Sequence, residues 1–357
     1  MKNILVINEC LSDNLGDVAI GESISTYLRL KGNNVKCIDY TKKSKIHISS
    51  YYKYEDKDNL KVNKANLIKT KLKEIFPIIK TIIWFKNNKS IYSKVKKESY
   101  DKVIIGGGQL LLSNGYFVQS LLLWFIISKV YLKSEVYLYG VGIGDKISFI
   151  DKMIFKLILP KFNKIYVRDK NSKEKLEKLN LKKEIKLSPD IVYYFNKINK
   201  KEGLIKKKLI LISIMDYSII NNICNRYDGE EEFMEEWLRL VRENNDKNYE
   251  VKICYTTNSD KDQAYRFIKY CNEVHGLRFD VVNTNDLDSF IEIVSVASKV
   301  ISARMHALIL AQNYNCEVIP FVFSDKLKSF SEENINNFSL EEFQEKIDYS
   351  FKEILGI

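Results

Sequence analysis

The chain has 357 residues, 45% of them apolar, and 57 Lys and Arg against 46 Asp and Glu, a formal net charge of +11. That length exceeds one small core and implies two domains. Six scattered cysteines (Cys10, Cys37, Cys224, Cys254, Cys271, Cys316) with no CxxC pair, and three histidines without close spacing, argue against a disulfide framework and a zinc site.

The chain opens on an apolar strand predicted over 2–8, too short a run for a secretory signal. The expected location is therefore the cytoplasm, with reduced thiols. A helix over 17–30, ended near Gly32, and a strand over 34–39 follow. Residues 42–97 then hold sixteen lysines against four acids (Glu55, Asp56, Asp58, Glu74), which accounts for the whole net charge and leaves the rest of the chain close to neutral. Its ordinary reading is a solvated, lysine-rich insertion. Within it Ile68, Leu72, Ile75, Phe76, Ile79, Ile82 and Ile83 recur at helical spacing, flanked by Lys69, Lys73 and Lys80 with Trp84 beside them, and Pro77 predicts a kink or a break. That layout suits a core helix with a wet side, or a helix lying on an anionic membrane.

Next come a buried strand over 102–105 running into Gly106-Gly107-Gly108, a helix over 116–132 and a strand over 135–141. The apolar run 121–131 is about half the roughly 20 residues that a membrane span needs. A helix over 150–159, a strand over 164–167 and a helix over 172–179 with Ser172 as N-cap complete the first set. The polar stretch 196–208 marks the domain boundary, giving domains 1–200 and 201–339. In the second, strands over 209–214, 249–255, 278–282, 299–302 and 317–322 alternate with helices over 230–243, 261–274, 287–297 and 304–313. A closing amphipathic helix covers 340–355, set apart with its tail as 340–357. This alternation predicts an α/β protein of two Rossmann-like domains facing a cleft, with ligands at the carboxyl ends of parallel strands.

Four such strand ends carry chemistry-bearing residues. Asn14-Leu15-Gly16-Asp17 leads into the first helix, with Gly16 for a close turn and Asp17 favourable at the helix start. The glycine triplet, and Gly140, Gly142 and Gly144 after the next strand, indicate close approach of a backbone or a ligand. Neither set has Walker spacing, which disfavours ATP hydrolysis. Arg168-Asp169 with Ser172 ends a third strand. Ile301-Ser302-Ala303-Arg304-Met305-His306-Ala307 is the sharpest: helix N–H groups, a guanidinium fork for carboxylate or phosphate, and an imidazole able to exchange protons near neutral pH. His47 and His275 have no such company.

Together with Pro189-Asp190, these pieces resemble the polysaccharide pyruvyltransferase family over nearly the whole chain, and Lys326 fits the lysine that follows the last strand. The resemblance implies a fold similar to two-domain (GT-B type) glycosyltransferases, phosphoenolpyruvate as donor and no cofactor. It implies a saccharide acceptor, free or lipid-linked, that becomes a pyruvate ketal of a cell-surface polysaccharide. By the same resemblance the N-terminal domain serves the acceptor and the C-terminal domain the donor. His306 and Arg304 would be catalytic, and the donor would be held by Arg168, Arg304, Met305, His306, Ser302 and Lys326, with the two arginines on opposite sides of the cleft. Asn14, Gly16, Asp17, Gly106, Gly107, Gly108, Gly142 and Asp190 would line it. The chain departs from the family pattern at Ser113-Asn114, where an acid is usual, at Met215-Asp216, where an arginine is common, and at Asn315-Cys316-Glu317, where glycine-x-proline is usual.

The rival enzyme reading is a nucleotide-sugar glycosyltransferase on the same fold, with Asp286, Asp288 or Asp325 as a ribose clamp. A non-catalytic module binding nucleic acid or membrane through 42–97 is a third, and no nucleic-acid reading motif appears. No cluster of metal ligands is evident, so no metal is expected. Peripheral contact with anionic membrane at the inner face is expected through residues 42–97.

Overall fold

The computed structural model describes residues 1–41, 77–113, 116–201, 203–245, 249–335 and 338–357. His47, Asn114 and the part of the membrane-helix expectation resting on residues 42–76 lie outside them. The chain divides into two compact units: Met1–Leu11, Ile20–Asp190 and Asp348–Ile357 form one, and Ser12–Ala19 with Ile191–Ile347 the other.

The first unit is built on six parallel strands: β1 (Asn3–Asn8), β2 (Asn34–Asp39), β3 (Lys102–Gly106), β4 (Glu135–Val141), β5 (Lys164–Val167) and β6 (Ile185–Leu187), in the order β2-β1-β3-β4-β5-β6. β1 and β3 read as continuous apolar runs because both faces are covered. One face packs under α2 (Pro77–Val95), α3 (Phe117–Ile126, extended by a π turn over Ile127–Tyr131), α4 (Phe149–Ile158) and α5 (Lys170–Glu177). α1 (Leu15–Leu30) and the end of the last helix cover the other, where Phe351 packs on Tyr27 and Tyr139 with ring centroids 4.5 and 4.4 Å apart.

Two expectations change here. Ser172 is not the N-cap of α5: Asp169 is, accepting from Ser172 N–H at 2.6 Å, while Ser172 Oγ accepts from Ile143 N–H. Pro77 is the first described residue of α2, so the expected kink or break falls at the edge of the described residues. Trp84 is not an interfacial residue. It is buried edge-on against Trp124, because the helix must close the sheet face on that side.

The second unit has five parallel strands: β7 (Leu209–Ser213), β8 (Glu250–Cys254), β9 (Asp280–Val281), β10 (Lys299–Ser302) and β11 (Glu317–Pro320), in the order β11-β10-β7-β8-β9. Its helices are α6 (Phe195–Ile198), α7 (Tyr217–Cys224), α8 (Glu230–Asn244), α9 (Asn258–His275), α10 (Leu287–Val296), α11 (Met305–Asn313), α12 (Asp325–Asn334) and α13 (Leu340–Leu355). Trp237 stacked on Phe321 at 4.1 Å, with Phe233 and Phe267, centres one apolar layer. The chain enters this unit at Ile191, ahead of the expected boundary at 200, because residues 191–198 pack on α11: Asn313 Nδ2 donates to Val192 O, and Tyr193 Oη to Gln312. The last helix is likewise not a separate element. Its final turns belong to the first unit, where Glu353 accepts from Lys164, Lys186 and Tyr166.

Among the described residues no helix is long and apolar enough to cross a membrane, and no disulfide joins any of the six cysteines.

Candidate active site

Both sheets reverse direction at their first strand. β1 leads to β2 on one side and the chain then returns to lay β3 on the other; β7 leads to β8 and β9, and the chain returns to lay β10. At such a switch point the loops beyond the carboxyl ends diverge, and ligands enter the gap. The glycine triplet follows β3 and the Ser302–His306 turn follows β10, so two of the four stations occupy the two switch points.

The second unit's switch point is polar and built around a helix start. Ser302 is fully buried; its hydroxyl accepts from Arg304 N–H at 2.9 Å and lies 3.2 Å from Ser213 O, to which it donates. Its side chain therefore shapes the turn and has no reach toward a ligand. Arg304 occupies the N-cap position of α11 in extended conformation, and no side chain caps the helix. By contrast α7, α9, α10 and α12 are each closed by a side chain: Asp216, Thr257, Asp286 and Ser324. The first-turn N–H groups of α11 carry the positive end of the helix dipole at the sheet's carboxyl edge.

Arg304 is held by a partner that the sequence reading missed. Asp260, fully buried in the first turn of α9, takes its Nε at 2.9 Å and its Nη2 at 2.7 Å, and Thr257 Oγ1 lies 3.4 Å from Nη2. Asp260 also accepts from Asp216 N–H and Thr256 Oγ1. The bidentate fork fixes the guanidinium plane, and Nη1 has no hydrogen-bond partner among the described residues. The Thr257-x-x-Asp260 pattern of a helix start was legible, but nothing local links it to an arginine 44 residues on.

His306 sits in the same first turn and Gly16 lies against it: a Cβ at Gly16 would stand 2.5 Å from His306 Nδ1. The Asn14-Leu15-Gly16-Asp17 loop reaches this place because Leu15 N–H donates to Thr256 O, and Asn14 Oδ1 accepts from Gly16 N–H. Asp17 falls in the first turn of α1. Gly16 thus belongs with His306. Met305 is partly exposed beside it. Lys326 is exposed in the first turn of α12, on the same carboxyl edge, since β11 pairs with β10 in parallel. Asp286 caps α10 in a capping box with Ser289. Burial, with the Asp260 charge adding, pushes the Cys254 thiol well above its ordinary range, so it is no nucleophile.

The first unit's switch point is packed instead. Gly106, Gly107 and Gly108 are all buried. A Cβ at Gly106 would meet Tyr139 O at 2.2 Å; Gly107 has a φ of +77°, and a Cβ there would meet Ile20 Cγ2 at 1.9 Å. At Gly106 and Gly107 it is thus the protein's own β4 and α1 that approach closely. Arg168, after β5, is 4% exposed in its side chain, with Nη1 3.3 Å from the buried Asp190 carboxylate and Nε 3.7 Å from Asp169. Gly142 leaves room for this guanidinium: a Cβ there would lie 3.3 Å from it. His275 pairs with Glu235 at the end of α9, away from these stations. Among the described residues no three His, Cys, Asp or Glu side chains cluster to hold a metal ion.

Residues 14–325 match the family described as polysaccharide pyruvyl transferase. The chain belongs to that family. It is accordingly an enzyme, a transferase whose family implies a saccharide acceptor. No curated protein matches the sequence. Among solved structures, this polysaccharide pyruvyl transferase is similar to three UDP-GlcNAc 2-epimerases. That of Methanocaldococcus jannaschii has 10% identity over 98% of this chain and 92% of that one, with a TM-score of 0.54. That of Neisseria meningitidis, bound to UDP-GlcNAc, has 11% identity over 98% and 91%, with 0.52. That of Rickettsia bellii has 13% identity over 100% and 96%, with 0.52. At these identities the likeness concerns the fold, a GT-B-like pairing of parallel α/β sheets.

Proposed function

We propose that this transferase moves the enolpyruvyl carbons of phosphoenolpyruvate onto sugar hydroxyls of a cell-surface polysaccharide or its lipid-linked precursor, closing a pyruvate ketal. The observation that carries the reading is the uncapped start of α11, flanked by an Arg304 that Asp260 has already oriented. Phosphoenolpyruvate carries a carboxylate and a phosphate. A helix N-terminus with a fixed guanidinium offers directed N–H donors and positive charge for such a molecule. Arg304, the first turn of α11 and the exposed Lys326 are the donor-holding set in this unit. Arg168 is assigned to anion binding on the first unit's own edge.

In the reaction, the donor's C3 methylene takes a proton and becomes a methyl group, and a sugar hydroxyl oxygen bonds to C2 as it loses its own proton. The C2–O bond to phosphate then breaks, phosphate leaves with the electron pair, and a second hydroxyl of the same sugar bonds to C2 as its proton passes to the phosphate, completing the ketal. Donor plus diol gives ketal plus phosphate, with no oxidation. His306, held under Gly16, is the group assigned to proton transfer at C3 or at the attacking hydroxyl.

Thermal unfolding tests the donor. Phosphoenolpyruvate should raise the unfolding temperature in a concentration-dependent way, since it binds only the folded unit. Stabilisation by UDP-GlcNAc with none by phosphoenolpyruvate would replace this reading with nucleotide-sugar transfer.

A further inference from the structure

Three of the four helices on one face of the first sheet are unusual in their charge and in what they leave uncovered. α2, α3 with its π turn, and α4 contain seven lysines (Lys80, Lys86, Lys89, Lys94, Lys129, Lys152, Lys156) and one acid, Asp151. Asp151 is buried and bonded to the cap Ser148. On α4, Asp151, Ile154, Phe155 and Ile158 face the sheet. Phe149, Ile150, Met153 and Leu157 are 75, 48, 57 and 60% exposed. At the angular step of a helix these four occupy one arc of about 100°. Lys152 and Lys156, one turn apart, run along its edge, both exposed and without an ion-pair partner among the described residues.

Val130 and Tyr131 of the π turn, and Ile82 and Phe85 of α2, are also exposed in this layer. Phe85, Tyr92 and Tyr131 form a chain of ring contacts at 5.8 and 5.4 Å, and Lys96 lies over Tyr131. Packing of α2 on α3 and of α3 on α4 makes these parts of one layer.

Four large apolar side chains in a row on a water-facing helix mark a contact surface. The lysine edge selects an anionic partner, and a row along one helix with no acid in it suits the headgroup boundary of a bilayer. We propose that α4 docks this enzyme on membranes containing anionic phospholipid. Phe149, Ile150, Met153 and Leu157 enter the acyl boundary, while Lys152 and Lys156 reach headgroup phosphates. α4 starts at the carboxyl edge of the first sheet, so docking brings that edge to the bilayer surface. The inference does not depend on which donor is used.

Co-sedimentation of the full chain with vesicles tests it. With phosphatidylcholine–phosphatidylglycerol vesicles at low salt the protein should pellet; with phosphatidylcholine alone it should not, and rising salt should release it. Met153→Glu/Leu157→Glu should lower partitioning at least about tenfold, as should Lys152→Glu/Lys156→Glu, with thermal unfolding unchanged because all four positions are exposed. Lys269→Glu on α9 of the second unit should have no effect. Wild type left in the supernatant at low salt, or Met153→Glu/Leu157→Glu pelleting like wild type, would overturn the proposal. So would a dimer in sedimentation velocity that Met153→Glu/Leu157→Glu dissociates without any lipid dependence; the face would then be a subunit interface.

Discussion

After β3 the chain turns on Gly107 in the left-handed region, with Ile20 so close that a methyl group has no room. After β10 it turns on a buried serine into a helix that no side chain caps, with Arg304 at the N-cap and His306 in the first turn. The topological position is the same and the use is opposite. In the first unit the switch point is filled by the protein's own backbone and α1. In the second it is left polar, and a buried carboxylate prepares a cation there. A strand order that creates a gap does not decide whether a ligand fills it; the residues just beyond the strand do.

That contrast can be broken by substitution. The largest effect is expected at His306: His306→Ala should lower turnover by about 10²–10⁴-fold, read as phosphate release in the presence of acceptor, with the unfolding temperature little changed. Unchanged turnover would leave the histidine a packing residue for Gly16. Arg304 behaves differently because of Asp260. Arg304→Ala leaves a fully buried carboxylate unpaired and should destabilise the fold by about 3–5 kcal/mol, so binding is better read in Arg304→Lys, which keeps charge near Asp260 but loses the planar fork. In the first unit, Gly107→Ala should lower stability by about 2–4 kcal/mol in denaturant unfolding, from left-handed backbone strain plus overpacking against Ile20. Gly16→Ala, which pushes on the imidazole, should instead reduce turnover more than stability. If Gly107→Ala unfolds normally and Gly16→Ala is the unstable one, the assignment of packing to one switch point and chemistry to the other is reversed.

The smallest effect concerns the tail. Hydrogen bonds from Lys186, Tyr166 and Lys164 hold the Glu353 carboxyl down at about 2, against an ordinary 4.5. A carboxyl whose folded pKa is depressed stabilises the fold above its unfolded value and loses that contribution as pH falls toward the folded one. Glu353→Gln should therefore unfold at a lower temperature than wild type near neutral pH, and the gap should close between pH 4.5 and about 2. A gap that persists below pH 2 would mean that shape, and not charge, fastens the last helix to β5 and β6.

Much of this is legible in the sequence. Strands 34–39, 135–141, 164–167 and 299–302 and the closing helix over 340–355 fall where periodicity put them, because each is an apolar run bounded by clear stops. The short β6 and helices α7 and α12 were missed: three residues give no period, and the caps of α7 and α12, Asp216 and Ser324, come directly after apolar strand runs that mask the change of element. At the site, Arg304 and His306 stand out as a motif, and Gly16 reads as a glycine for a close turn. Neither the contact of Gly16 with the imidazole nor the Asp260 clamp could be read locally, since each joins segments far apart in the chain. The glycine triplet shows the converse. Its pattern announces close approach without saying whether protein or ligand approaches.

Calorimetric titration of phosphoenolpyruvate into wild type, Arg304→Lys and His306→Ala tests the central claim most directly. The account predicts saturable binding to wild type, affinity about tenfold or more weaker in Arg304→Lys, and near wild-type affinity in His306→Ala, whose loss falls on turnover. Phosphoenolpyruvate binding that Arg304→Lys leaves unchanged would contradict the placement of the donor at the start of α11.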